Sequence, residues 1–159
     1  RGLEFAANYD FSVGENDFGV RLQGSRQERL DRFFNPLDQS DVDPEIMELQ
    51  RPRLFGLLGL SWNRGPVRVG LQTIYQGKQA VAEVEEVRGI AGLDPLYGSA
   101  GFLHNVLISD LNARYQWNDG LSLFGGINNL WDEEPFSTQT AWPVGPRGRT
   151  LFLGLSYSL

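Results

Sequence analysis

Residues 2–13 read Gly2-Leu3-Glu4-Phe5-Ala6-Ala7-Asn8-Tyr9-Asp10-Phe11-Ser12-Val13, and their character changes from one residue to the next. Leu3, Phe5, Ala7, Tyr9, Phe11 and Val13 alternate with Gly2, Glu4, Ala6, Asn8, Asp10 and Ser12. Successive side chains of an extended chain point to opposite faces, so this run has one apolar face and one face of carboxylates and amides. A helix would spread the same residues around its circumference. The run also matches the ~9–11 residues with which a tilted strand crosses a bilayer, whereas soluble strands average ~5–6.

The same alternation recurs along the chain. Phe18, Val20 and Leu22 oppose Gly19, Arg21, Gln23 and Ser25. From 53 to 63, Leu54, Leu58, Leu60 and Trp62 share a face, and the other face (Phe55, Leu57, Gly59, Ser61) is less polar. Val67, Val69, Leu71 and Tyr75 oppose Arg68, Gly70, Gln72 and Gln76. Leu107, Leu111, Ala113, Tyr115 and Trp117 oppose Ile108, Asp110, Asn112, Arg114 and Gln116. A sixth run covers roughly 121–129, and the last sets Leu151, Leu153, Leu155, Tyr157 and Leu159 against Thr150, Phe152, Gly154, Ser156 and Ser158.

Gly14-Glu15-Asn16-Asp17, Asn63-Arg64-Gly65-Pro66 and Asn118-Asp119-Gly120 read as tight turns, with Gly supplying the positive φ that two-residue hairpins require. The other connections, about 28–52, 78–104 and 131–148, are long. Short and long connections alternate, which places every short turn at one rim and every long loop at the other, as in outer-membrane barrels. Trp62, Trp117, Tyr115 and Tyr157 fall beside the short turns, where amphipathic rings suit the headgroup level. The pattern predicts an all-β chain: an antiparallel transmembrane β-barrel segment of about seven long strands with alternating short turns and long loops.

An odd number of strands leaves two edges whose backbone groups have no partner in lipid. The chain also begins at Arg1, without initiator Met or signal peptide. Both point to a piece of a longer protein. The alternative is a complete small eight-stranded barrel acting as a surface anchor or interaction module, its extra strand hidden in 78–104. A soluble sandwich is the third reading, disfavoured by the strand lengths.

Composition narrows the chemistry. The absence of Cys excludes disulfides and Cys-based metal sites. A net charge of -6 with scattered Lys and Arg argues against nucleic-acid binding. His104 is the sole histidine, and neither a Gly-x-Ser-x-Gly elbow nor a phosphate-cradling Gly loop occurs. Asp31, Asp38, Asp41, Asp43 and Glu45 lack the spacing of a calcium loop and read as a solvated acidic loop. Neither enzyme activity, cofactor nor metal is expected. Arg32, Phe33 and Phe34 in the first long loop, and Trp142 and Arg147 in the third, join cations to rings and are the candidate ligand contacts. Packing of loop on loop would use the same residues. Ala80 to Val87 reads as a short helix or a strand continued above the membrane. Inward charges Glu4, Asp10, Arg21, Arg68, Asp110 and Arg114 read as lumen-wall residues.

The stretch Gly126-Ile127-Asn128-Asn129-Leu130-Trp131-Asp132-Glu133-Glu134-Pro135, followed by Gly148-Arg149 and the final alternating strand, resembles the end of TonB-dependent outer-membrane receptors. In that family a strand ends in Gly-x-x-Asn-Leu-aromatic-Asp, then a Pro and a loop, then Gly-Arg and the last strand. Gly126, Asn129, Leu130, Trp131, Asp132, Pro135, Gly148 and Arg149 carry the match as structural motif residues. The likeness is close over the last third of the chain and architectural elsewhere. Leu159 departs from the family's usual terminal aromatic residue but keeps the alternation. The resemblance implies that residues 1–159 are the C-terminal portion of a barrel of about 22 strands, whose plug domain, TonB-contacting segment and earlier strands lie outside this sequence. It further implies the bacterial outer membrane, its lipid, the plug and the TonB system as partners, and uptake of a scarce nutrient of the siderophore-iron, cobalamin or glycan class.

Overall fold

A computed structural model describes residues 1–38, 40, 42–80, 102–136 and 143–158. Seven strands form one sheet: β1 (Gly2–Val13), β2 (Asn16–Gln27), β5 (Leu54–Arg64), β6 (Val67–Gln76), β9 (Val106–Gln116), β10 (Leu121–Asn128) and β11 (Thr150–Tyr157). Each is antiparallel to the next, so the sheet is an uninterrupted meander with β1 and β11 at its edges. Two short hairpins, β3 (Asp31–Phe33) with β4 (Val42–Pro44) and β7 (Gln79–Ala80) with β8 (Phe102–Leu103), stand in the first two long connections. Of the segment that would hold a hidden eighth strand, 78–104, residues 81–101 lie outside the described residues, as do most of the Ala80–Val87 stretch and Leu159.

The register joins the local alternations into two continuous faces. One cross-strand row runs Phe11, Phe18, Trp62, Val69, Ala113, Gly125, Leu153. The row beside it runs Asp10, Gly19, Ser61, Gly70, Asn112, Gly126, Phe152 and faces the other way. A slip of one residue in any pairing would carry that strand's apolar set to the polar face, so the register is strongly specified. The doubly apolar 54–64 run has a cause: Leu57 pairs with Ile74 and Ile74 with Ile108, an apolar island on the polar face near the long-loop rim.

The apolar face is uncovered. Leu151 and Leu153 are 77% and 79% exposed, and Leu3, Tyr9, Leu155 and Tyr157 are similar. Leaving one such side chain in water forfeits about 1.5–3 kcal/mol, and here the exposure is repeated along the sheet. A face of this kind needs an apolar medium. The buried apolar residues Ile46, Ala80, Val106, Phe136 and Val144 instead lie in or beside the long connections. There the first two loops are tied together, the Ala80 amide donating to the Met47 carbonyl at 2.5 Å and the Gln50 amide to Gln79 Oε1 at 2.5 Å.

At the opposite rim two hairpins are two-residue loops that begin with glycine, Gly14 (φ 61°) and Gly65 (φ 52°), as type II′ turns require. The Asn118 turn is built differently. Gly120 does not take a positive φ; the Asn118 carboxamide instead accepts from the Gly120 and Leu121 amides at 3.0 and 2.8 Å. Glycine is needed there for proximity, because a Cβ at residue 120 would lie 2.7 Å from the Ser158 carbonyl oxygen. Aromatic residues crowd this rim: Phe11 stacks on Phe18, Tyr115 packs edge-on to Trp117, and Trp62 donates to Asn16 Oδ1 at 2.9 Å.

Candidate functional site

At the long-loop rim, β10 ends in a knot made by the motif residues. Asn129 (φ 54°) is 5% exposed and pairs face to face with the Glu133 backbone, accepting its N–H and donating to its carbonyl, each at 2.8 Å. The Asn129 amide donates to Asp110 Oδ1 at 2.8 Å and the Leu130 amide to the Ser109 carbonyl at 2.7 Å, which fastens the knot to β9. Asp132 (φ 60°) turns its carboxylate to the start of β11, accepting from the Arg149 amide at 2.8 Å and the guanidinium at 3.2 Å. Gly148, at φ 60°, allows the chain to arrive there. Gly126 lets Phe152 lie flat across β10, since a Cβ would strike its ring.

The knot has two further members that alternation alone passes over. Thr73 and Ser109 interrupt the apolar faces of β6 and β9, and they are direct register partners, their hydroxyls 2.9 Å apart. Trp131 Nε1 donates to Ser109 Oγ at 3.0 Å, and Ser109 is 2% exposed. The signal in the sequence is a polar residue at an apolar-face position on each of two consecutive strands.

The Arg149 amide and then its guanidinium hydrogen bond hold the Asp132 carboxyl below the usual carboxylate range. A lowered folded pKa means that this clip contributes above the ordinary Asp range and is lost as pH falls through the folded value. The Arg149 amide resonance of the detergent-solubilised protein is therefore expected to move with an apparent pKa below that of a free Asp. Asp132→Asn should remove the transition; an unshifted midpoint would separate the clip from Asp132.

The candidate ligand residues of the first loop are held by their own loop. Arg32 lies 3.3 Å from Asp43 and 3.2 Å from Glu45 across the β3–β4 hairpin, with its guanidinium 4.5 Å over the Phe34 ring. Arg51 bridges Glu45 and Glu48, so arginines separate the acidic groups of this loop. The Phe33 and Phe34 side chains remain exposed. Arg147 is exposed beside the knot, and Trp142 lies outside the described residues. His104 Nε2 is 2.8 Å from Glu133 and its ring meets Phe136 edge-on, joining the second long connection to the third.

Across the middle of the polar face lies an open groove of about 460 Å³, lined by Asn8, Asp10, Arg21, Ser61, Gln72 and Asn112 among others, with Gly19, Gly59 and Gly70 thinning its floor. Arg21 donates to Asn8 Oδ1 at 3.3 Å. Donors and acceptors are mixed across the groove.

Comparison with known proteins places this architecture. No family model and no curated protein matches the sequence. Among solved structures, the copper transporter OprC superposes over 99% of this chain with a TM-score of 0.57 at 19% identity, using 23% of its own length. A mutant of the ferric enterobactin receptor PfeA from Pseudomonas aeruginosa matches 99% of this chain at TM-score 0.50 and 16% identity, over 31% of its length. Both are transport or receptor proteins by name, and the present chain spans about a quarter to a third of each. At such identities the likeness is one of fold: the seven-stranded antiparallel sheet has the fold of the matching part of these two proteins.

Proposed function

We propose that this chain is the C-terminal barrel portion of a TonB-dependent receptor of the bacterial outer membrane, which takes up a scarce nutrient of the siderophore-iron, cobalamin or glycan class. The observation that carries this reading is the continuity of the apolar face through seven long strands, backed by an equally continuous polar face. Lipid suits the first and a filled or wet lumen the second. Among the described residues β1 and β11 have free edges, which supports further strands of the wall, because unpaired backbone groups in lipid cost several kcal/mol each. Exposed Phe33, Phe34 and Arg147 are the loop residues of this portion offered to a ligand, with Trp142 as a fourth; Arg32 serves by bracing Phe34. Gly126, Asn129, Leu130, Trp131, Asp132, Pro135, Gly148 and Arg149 act as the structural knot that sets the last long loop. Energy and gating belong to the plug and the TonB system, elsewhere in the polypeptide and the envelope.

The native polypeptide carrying this sequence, extracted in detergent from outer membranes of its source, is expected to be several times heavier than the 17.9 kDa of these residues. Deleting its gene should then abolish energised uptake of one member of a labelled panel that includes copper, ferric enterobactin, cobalamin and oligosaccharides. A mature chain near 18 kDa would replace this reading with the small anchor barrel.

A further inference from the structure

On the polar face, one row short of the groove towards the tight turns, the register sets Arg68 of β6 directly against Arg114 of β9. Opposed residues on one face have Cβ atoms about 4.5–5.5 Å apart, and like charges so placed repel. Both side chains are exposed, and among the described residues neither has a carboxylate within ion-pair distance. The wall's own acids are committed or remote. Asp17 belongs to the same row but Asn63 stands between it and Arg68, a separation of about 10 Å at ordinary strand spacing. Its carboxylate accepts from Ser12 at 2.6 Å. Asp110 lies four residues along β9, about 13 Å away, and accepts from the Asn129 amide. The Arg114 guanidinium lies 5.7 Å over the Phe124 ring.

We propose that Arg68 and Arg114 form a carboxylate site on the lumen wall, filled by an Asp or Glu of a polypeptide segment seated inside the barrel. This inference rests on the receptor reading and names the partner chemistry of its polar face. One carboxylate between two guanidiniums forms charge-assisted hydrogen bonds to each and turns the repulsion into attraction. A peptide fits better than a free phosphate, because the adjoining groove sets Asp10 and Arg21 among amides and hydroxyls, a mixture of acceptors and donors in which main-chain N–H and C=O groups find partners.

The test uses the full-length polypeptide, with Arg68→Lys and Arg114→Lys made separately and treated with a water-soluble carbodiimide. That reagent couples a lysine amine to a touching carboxylate and leaves the wild-type guanidinium groups unmodified. The expected result is a cross-linked peptide, absent from the wild type, joining position 68 or 114 to an acidic residue outside 1–159. Cross-links confined to Asp10, Asp17 or Asp110, coupling to a lipid phosphate, or no coupling in either variant would each overturn the proposal. If the full-length chain holds a lumen segment and still gives no such link, the receptor reading stands and only this site falls. If the chain has no such segment, the receptor reading falls with it.

Discussion

Leu71→Arg in the full-length protein is expected to abolish the folded, heat-modifiable form in outer membranes, whereas Gln72→Arg should leave it largely intact. The two positions are neighbours on β6 and present the same backbone to the ladder. Leu71 pairs with Leu60 and Leu111 on the apolar face, well away from either rim. Gln72 pairs with Gly59 and Asp110 on the polar face, where an added guanidinium gains a nearby carboxylate. An arginine on the lipid side of a barrel costs about 2–4 kcal/mol at the midplane and little at the interfaces. Against a folding free energy of roughly 5–15 kcal/mol, that loss changes the outcome of assembly. Urea midpoints in detergent or liposomes measure it. Equal shifts for the two variants would mean that the apolar face does not meet lipid.

The second large effect belongs to Asn129. Its side chain replaces water for both polar groups of the Glu133 backbone, and its own φ of 54° lies in the left-handed region that Asn tolerates better than Ala. Asn129→Ala removes two hydrogen bonds at a 5% exposed site and adds backbone strain, a loss of roughly 3 kcal/mol. Asn129→Gly relieves the strain alone and should recover about 1 kcal/mol of it. Hydrogen exchange at the Glu133 amide should rise in both variants, while exchange within β1 and β2 stays unchanged. A change below about 0.5 kcal/mol, the usual size for an inconsequential surface substitution, would show that the knot does not depend on this carboxamide.

The strands were legible because alternation is local. Residues 2–13 declare two faces without reference to any other part of the chain, and the observed β1 covers the same residues. The run at 53–63 appears as Leu54–Arg64, and that at 121–129 as Leu121–Asn128. The rims were legible for the same reason, since connection length is a property of the chain alone. The Asn118 turn was located correctly but for an incomplete reason. Its Asn–Asp–Gly sequence suggested a glycine in the left-handed region, and the carboxamide of Asn118 closes it instead.

The candidate site was less legible because its members meet only through pairing. Arg32 meets Asp43 and Glu45 only once the β3–β4 hairpin has formed, a pairing that its place in the sequence does not announce. Arg68 and Arg114 are 46 residues apart by number, and neither sequence position hints that the other stands opposite. Thr73, Ser109 and Trp131 come from three separate segments and share one hydroxyl.

The sequence by itself therefore determined what each strand shows to either side, and where the short and long connections fall. Both follow from the two-residue period of an extended chain and from turn chemistry, which act over a few neighbouring residues. Only the tertiary structure decided which side chains face one another across strands. Register is fixed by the joint burial and pairing of many residues at once, so the knot at Asn129 and the arginine pair on the polar face exist only once the sheet has formed.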